Sequence, residues 1–135
     1  MKWCDRTLIQ SPYFYGVCLD EKDYHKTLKK LELPERLWAP FVNPGKDATV
    51  HYWEHHDGRN VALVCIKDAH KHKPGSVVGI LVHEAVHIWQ AIKEDLGETH
   101  PSKEFEAYSI QWIVQELIES YNHANSKRPK KKTKV

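Results

Sequence analysis

Hydrophobic side chains occupy most positions between Val77 and Ile92, and Glu84 is the only formally charged residue among these sixteen. This run, with Gly97 shortly after it, predicts a helix that is buried on nearly every side and ends near Asp95. The segment is too short for a membrane span and has a charge at its centre, so no membrane association is expected.

Two further helices are predicted from helical spacing. Apolar residues recur at intervals of three and four from about Lys103 to Asn122, after a break at Pro101. A shorter helix from about Glu21 to Leu31 would begin after Asp20, which is a favourable N-cap residue with an acidic first turn behind it.

A β-hairpin is predicted between the helix at residues 21–31 and the helix that contains Glu84. Residues 49–54 are β-prone, Asp57-Gly58 is typical of a turn, and Val61–Ile66 is a strongly apolar strand. Residues 1–19 are interpreted as loop with short extended segments. The predicted fold class is therefore α+β: a small antiparallel sheet that packs on a buried helix and a second, C-terminal helix.

Chain length and charge indicate one domain with a distinct tail. At 135 residues the chain suits a single core, assigned to residues 1–125. Residues 127–135 contain six basic residues and no acid, whereas the rest has fourteen basic and eighteen acidic residues, a net charge of −4. Residues 126–135 are therefore predicted to be a disordered basic tail, which either contacts nucleic acid or another polyanion or simply aids solubility.

The cysteines and the N-terminus indicate a cytoplasmic location. Cys4, Cys18 and Cys65 are odd in number and lack metal-ligand spacing, so we expect free thiols that act as small buried hydrophobes. No charged n-region followed by an apolar segment, as in a secretory signal, begins the chain.

The strongest chemical signal is the motif His83-Glu84-Ala85-Val86-His87, which reads H-E-x-x-H. Two histidines four positions apart lie on one face of a helix, where both can bind the same Zn²⁺, and the intervening glutamate can act as base toward a metal-activated water. Burial of Glu84 between two buried histidines would be costly without a cation, which favours a metal site over three separately satisfied core residues.

A catalytic zinc needs a third protein ligand, and the last helix is the natural source. It opens with Glu104-Phe105-Glu106-Ala107, and its short connection makes it an antiparallel neighbour of the motif helix near His87. Glu106 shares a helix face with apolar residues and is one candidate for that ligand. His100, in the connection, is another.

With these residues the chain resembles the gluzincin branch of the zincin metallopeptidases over about residues 76–118. In that branch a helix after H-E-x-x-H supplies a glutamate within E-x-x-A, which here implies Glu104 as the third ligand beside His83 and His87. Tyr108 departs from the pattern, since many gluzincins have Asp there. His100 and the residues after it resemble SprT/Spartan-type proteases more loosely.

The resemblance implies a zinc metallopeptidase that hydrolyses peptide bonds in protein or peptide substrates, with Glu84 as general base. The alternative is a non-catalytic zinc-stabilised module with a regulatory or nucleic-acid-associated role, and a DNA-associated SprT-like protease lies between the two. Small His- and Trp-rich zincins of this kind also resemble proteins encoded by phages and prophages.

The remaining histidines are expected to be exposed. His51, His55 and His56 are placed on or near the hairpin, of which His55 and His56 lie outside the residues that the structure describes below. His70 and His72 are placed in a polar loop. A second metal site among these histidines is the alternative, but exposed loop histidines are much commoner. His25 and His123 have charged neighbours on predicted helices and are assigned to the surface.

Overall fold

The computed structural model describes residues 1–4, 11–54 and 58–128, which form a three-stranded mixed sheet and three α-helices. The strands are β1 (Tyr13–Cys18), β2 (Ala48–Glu54) and β3 (Asn60–Ile66). The helices are α1 (Glu21–Lys30), α2 (Pro74–Asp95) and α3 (Lys103–Ser126), with short 3-10 turns at Glu35–Leu37 and Ala69–Lys71.

β3 is the central strand of the sheet, in the order β1-β3-β2. Every residue of β3 after Asn60 is buried, which explains why it reads as a continuous apolar run. The predicted hairpin is confirmed, since β2 and β3 pair antiparallel with Glu54 opposite Asn60. Gly58, with φ of +82°, lies in the connection, and Asp57 lies outside the described residues.

The prediction of a purely antiparallel sheet was wrong because β1 pairs with β3 in parallel, with Tyr13 opposite Asn60. Residues that were interpreted as short extended segments therefore include a full edge strand. Trp3 forms an isolated bridge with Gly16 on the outer side of β1.

The two faces of the sheet carry separate hydrophobic clusters. α2 and α3 pack together on one face, where Tyr15, Val17, Ala62, Val64 and Ile66 meet apolar residues of both helices. α1 and the segment after it cover the other face, where Tyr24 and Leu28 of α1 pack on Cys18, Leu63 and Cys65.

The end of α2 agrees with the prediction. The helix stops at Asp95, and Gly97 follows in the left-handed conformation with φ of +70°. The Gly97 N–H donates to Glu94 O and the Glu98 N–H donates to Lys93 O, each with an N···O distance of 3.0 Å, as in a Schellman C-cap.

The predicted burial of α2 on nearly every side was wrong. His83 and His87 are exposed, and Val78 and Val82 are 45% and 39% exposed. By length and composition α2 alone among helices of the described residues could span a membrane, but a core helix passes the same test, and its buried face packs against the sheet and α3.

α3 packs on β1 and α2 and joins distant parts of the chain. Ser102 caps its first turn by accepting from the Phe105 N–H, and the helix continues past the predicted end at Asn122 to Ser126. Near the end of α3, Ser120 Oγ donates a hydrogen bond to Lys2 O at a distance of 2.7 Å. The same oxygen accepts a hydrogen bond from the Val17 N–H at an N···O distance of 3.1 Å.

All three cysteines are free and buried, as expected. Burial raises the pKa of Cys4 to about 12 and, together with a hydrogen bond to Cys18, raises the pKa of Cys65. The thiols of Cys4 and Cys65 therefore stay protonated, and all three cysteines serve as apolar core residues. Residues 129–135, most of the predicted tail, lie outside the described residues.

Candidate metal centre

The centre of α2 presents the two motif histidines on one face of the helix. Four residues of helix separate His83 from His87, so their rings lie one turn apart. The Nε2 atoms of the two rings are 3.1 Å apart, and the ring centroids are 4.8 Å apart.

This distance suits a shared metal ion. Two histidine nitrogens on a tetrahedral Zn²⁺, each about 2.0–2.1 Å from the metal, lie about 3.3 Å from each other. The same 3.1 Å also permits a hydrogen bond between the rings when one nitrogen is protonated. The separation of the two Nε2 atoms is therefore close to the one that a shared metal ion requires.

Gln90 completes this face of the helix three residues after His87. Its Oε1 is 3.1 Å from His87 Nδ1, so the ring can donate from Nδ1 and keep the lone pair of Nε2 free. Metal-binding histidines commonly carry such a partner on the second nitrogen. Helical spacing from His87 could have identified Gln90 in advance, but the sequence analysis did not name it.

Glu84 differs from His83 and His87 in being buried, with only 7% of its surface exposed. Burial raises the pKa of its carboxyl group, while the adjacent His83 and His87 act in the opposite direction. A carboxylate with a raised pKa is a stronger base than a solvated one. This environment is suited to proton transfer.

A cleft of about 500 Å³ lies between α2 and the edge strand β2, and both histidines and Glu84 line it. On the β2 side it is lined by Ala48, Thr49, Val50 and Tyr52. Burial, and then the nearby Glu84, raises the pKa of Tyr52 to about 12, so its hydroxyl remains a donor at neutral pH. Tyr52 is a cleft residue that the sequence analysis missed, because only the packing of β2 on α2 places it there.

Glu106 is held on another side of α2. Its Oε2 accepts a hydrogen bond from Trp89 Nε1 over 2.9 Å and lies 4.0 Å from Lys93 Nζ. Trp89 follows His87 by two residues, which is about 200° around the helix. The carboxylate of Glu106 therefore faces away from the histidine pair.

The structure does not bring Glu104 or His100 to the histidine pair either. Both are exposed, and the Nδ1 atom of His100 lies 3.1 Å from Thr99 Oγ1. Among the described residues, no group of three His, Cys, Asp or Glu side chains is placed to hold one metal ion. His83 and His87 fit a metal as two ligands, and the first turn of α3 would have to shift to supply a third.

Glu94 lines the same cleft but cannot replace that ligand. It follows His87 by seven residues, which is about 10 Å along the helix axis and beyond the reach of its side chain. Glu94 therefore marks the far end of the cleft.

His51 corrects the expectation that the other histidines are exposed. It is buried in the α1 layer, its Nε2 lies 3.0 Å from Phe41 O, and its ring lies 5.5 Å from those of Tyr24 and Trp53. The alternation of β2 turns His51 toward α1 and Tyr52 toward α2. His51 therefore belongs to the aromatic core on the side of the sheet opposite the cleft.

Comparisons of this chain with protein families, curated proteins and solved structures found no match.

Proposed function

We propose that the chain is a zinc-dependent metallopeptidase whose cleft between α2 and β2 binds the substrate. The observation that carries the proposal is the 3.1 Å separation of His83 Nε2 and His87 Nε2 beside the buried Glu84, in a cleft open to solvent. The resemblance of the motif and of Glu104-Phe105-Glu106-Ala107 to gluzincins supports the same conclusion.

In this proposal His83, His87 and Glu104 hold the metal. Glu104 is preferred to Glu106 because the carboxylate of Glu106 already accepts from Trp89, whereas Glu104 is exposed in the first turn of α3. When bound, Zn²⁺ lowers the pKa of water and polarises a carbonyl group.

Glu84 acts as the general base and then as the acid. Its carboxylate takes a proton from the attacking water and passes that proton to the leaving nitrogen. Burial favours this role, since removal from solvent strengthens the carboxylate as a proton acceptor.

β2 and Tyr52 orient the substrate. In the described sheet, β2 has a partner strand on one side only, so its outer edge can pair with an extended peptide. The hydroxyl of Tyr52 can donate a hydrogen bond into the cleft. A peptide-bound structure without main-chain pairing to β2 would contradict this role of β2.

The decisive experiment compares zinc content and peptide hydrolysis in four variants. His83→Ala and His87→Ala should each lose zinc, whereas His70→Ala, an exposed histidine outside the site, should keep about one zinc per chain. Glu84→Gln should keep zinc and lose hydrolysis by roughly 10²–10⁴-fold, because an amide cannot accept the proton. Full activity in Glu84→Gln, or zinc retained by His83→Ala, contradicts the proposal.

A second set of variants tests the third ligand. Glu104→Gln should lose most of its zinc, while Glu106→Gln and His100→Ala should retain it. The Glu106 variant also controls for damage to α3, since it weakens the contact with Trp89. If Glu106→Gln is the only one of the three variants that loses zinc, the third ligand is Glu106 and not Glu104.

The second candidate function is a zinc-stabilised binding module without catalysis. It would be supported if the wild-type chain bound zinc with four protein ligands, as absorption spectroscopy at the zinc edge can show, and hydrolysed no peptide.

A further inference from the structure

The cleft between α2 and β2 carries charges of opposite sign at its two ends. Among the described residues that line it, Lys46 is the only lysine or arginine, and Glu94 is the only acidic residue besides Glu84. Lys46 and Glu94 are exposed, and neither forms an ion pair within the described part of the chain. Both charges are therefore available to a molecule that lies in the cleft.

The order of the elements shows that these two charges are far apart. Asn60 lies opposite Glu54, the last residue of β2, and its Nδ2 atom donates to Asp95 Oδ2 at a distance of 3.1 Å. The C-terminal end of α2, with Glu94, therefore lies beside the end of β2. Lys46 instead precedes the start of β2 by two residues. The histidine pair, at the middle of α2, lies between the two charges.

A turn fixes the position of Lys46 in the chain. The Lys46 N–H donates to Asn43 O at an N···O distance of 3.1 Å. Pro44 and Gly45 lie between them, and the φ of +76° at Gly45 is typical of a type II turn. The Asn43 N–H donates to Thr49 Oγ1 at a distance of 3.0 Å, which attaches the turn to β2. The fold, rather than a free loop, therefore places Lys46 at this end of the cleft.

Tyr13 shows that the charge at the other end is not that of Glu94 alone. The ring of Tyr13 packs against that of Tyr52, a cleft residue, with centroids 5.8 Å apart. Burial raises the pKa of Tyr13, and so do Asp95, Glu54 and Glu94. Three carboxylates therefore contribute to a negative potential at this end of the cleft.

We propose that the cleft selects extended peptides that run antiparallel to β2, with a basic side chain toward Glu94 and an acidic side chain toward Lys46. This inference rests on the proposed binding of a peptide along β2, but not on its hydrolysis. Antiparallel pairing is the more stable arrangement, and it places the N-terminal half of the peptide at the Glu94 end. Glu94 lies about 10 Å along the helix axis from His87, which is the length of about three extended residues. The basic side chain is therefore expected about three residues before the bond at the histidine pair.

Charges of opposite sign disfavour ligands that carry only one sign. A nucleic acid would place phosphates against the carboxylates around Glu94, and a uniformly basic peptide would place a cation against Lys46. A peptide with mixed charge avoids both contacts. The order of its charges, rather than their number, is therefore the property that the cleft recognises.

The test compares two fluorescent peptides of identical composition with blocked termini. One carries lysine six positions before glutamate, about 20 Å in an extended chain, and the other carries the two in the reverse order. Fluorescence polarisation measures their binding to the full chain with Glu84→Gln, so that no peptide is cut. Each exposed ion pair contributes up to about five-fold in affinity, so the two pairs together should favour the lysine-first peptide roughly 10-fold. In 1 M NaCl, where the screening length is about 3 Å, this preference should disappear.

Two charge exchanges that leave the net charge unchanged provide the matched comparison. Lys46→Glu/Glu94→Lys, added to the same chain, should reverse the preference in favour of the glutamate-first peptide. Lys30→Glu/Glu35→Lys makes the same exchange at two exposed positions outside the cleft and should keep the original preference.

The outcomes separate this inference from the peptidase proposal. Equal affinities for the two peptides, a preference for the glutamate-first peptide, or a preference that survives the exchange of Lys46 and Glu94 would overturn the inference. Hydrolysis by wild type of a peptide with alanine at both positions is measured alongside and reports on the peptidase proposal alone. A preference that the exchange reverses supports the inference even if wild type cuts no peptide.

Discussion

At the scale of single residues, local helix geometry determines the spacing of His83 and His87, and one neighbouring side chain contacts the ring of His87. Helical spacing places His83 and His87 one turn apart whatever packs around them. The orientation of the His87 ring depends on Gln90, whose side-chain oxygen faces His87 Nδ1. In the proposed zinc site, Gln90 would therefore affect the metal affinity without binding the metal itself.

Replacement of this neighbour gives a testable prediction. Gln90→Ala should weaken zinc binding by roughly 10–100-fold, because His87 loses the partner that orients its ring. Gln115→Ala, at an exposed position of α3, should have no effect. Zinc affinities measured by competition with a chromophoric chelator would decide this, and equal affinities for the two variants would contradict the role of Gln90.

The sequence predicted the residues of the candidate site better than their surroundings. The motif identified His83, Glu84 and His87, and the structure places all three in one cleft. The argument that all three are buried was wrong for the histidines, because an apolar sequence does not reveal which side of a helix lacks a neighbour. Only Glu84 is buried, since it faces the sheet side of the cleft.

At the scale of elements, the helices and the hairpin were predicted within a few residues, while β1 was missed. The signals for α2 and for the hairpin are local: the cap at Gly97, the turn before β3 and the spacing of apolar residues. β1 becomes a strand by pairing with β3, far along the chain, and no local pattern specifies that partner. The prediction that the start of α3 packs beside the C-terminal half of α2 is confirmed, since Glu106 contacts Trp89 and Lys93, but no local pattern specified which side of α2 it faces.

Two glycines provide a matched test of the packing at β1. An added Cβ at Gly16 would lie 3.1 Å from Met1 Sδ and 3.2 Å from Lys2 O, whereas one at Gly79 of α2 would meet nothing within 4 Å. Gly16→Ala should therefore destabilise the fold by about 1–3 kcal/mol.

The control should change stability in the opposite direction. Gly79→Ala should stabilise by about 0.5–1 kcal/mol, because alanine is the better helix former. Urea unfolding of both variants measures the difference. A Gly16→Ala variant as stable as wild type would show that the N-terminal segment does not pack closely on β1.

At the scale of the whole molecule, charge is divided between two ends. Burial, followed by Asp95, Glu54 and Glu94, raises the pKa of Tyr13 at the start of β1, which shows that carboxylates gather there. The opposite end of the strand leads to the start of α1, where Lys22, Lys26, Lys127 and Arg128 line a groove between α1 and α3. Charges of opposite sign are therefore concentrated near the two ends of β1.

His83 and His87 lie outside both hydrophobic clusters, so zinc bound to them should add stability without being required for folding. At free zinc 100-fold above Kd, wild type should gain about 2.7 kcal/mol, or roughly 10 °C in Tm, and EDTA should remove this gain. His83→Ala should melt at the same temperature with and without EDTA. Unfolding of wild type by EDTA at 25 °C, followed by circular dichroism, would instead indicate a structural zinc.

The two hydrogen bonds of Ser120 have a consequence for the order in which the chain folds during synthesis. This hydroxyl joins Lys2 and Val17 to a helix that lies more than one hundred residues further along the chain and therefore leaves the ribosome later. The histidine pair needs only one helix, and its spacing exists as soon as α2 forms. A nascent chain therefore carries both imidazoles before β1 is secured, and the emergence of α3 decides when the β1 side of the sheet closes.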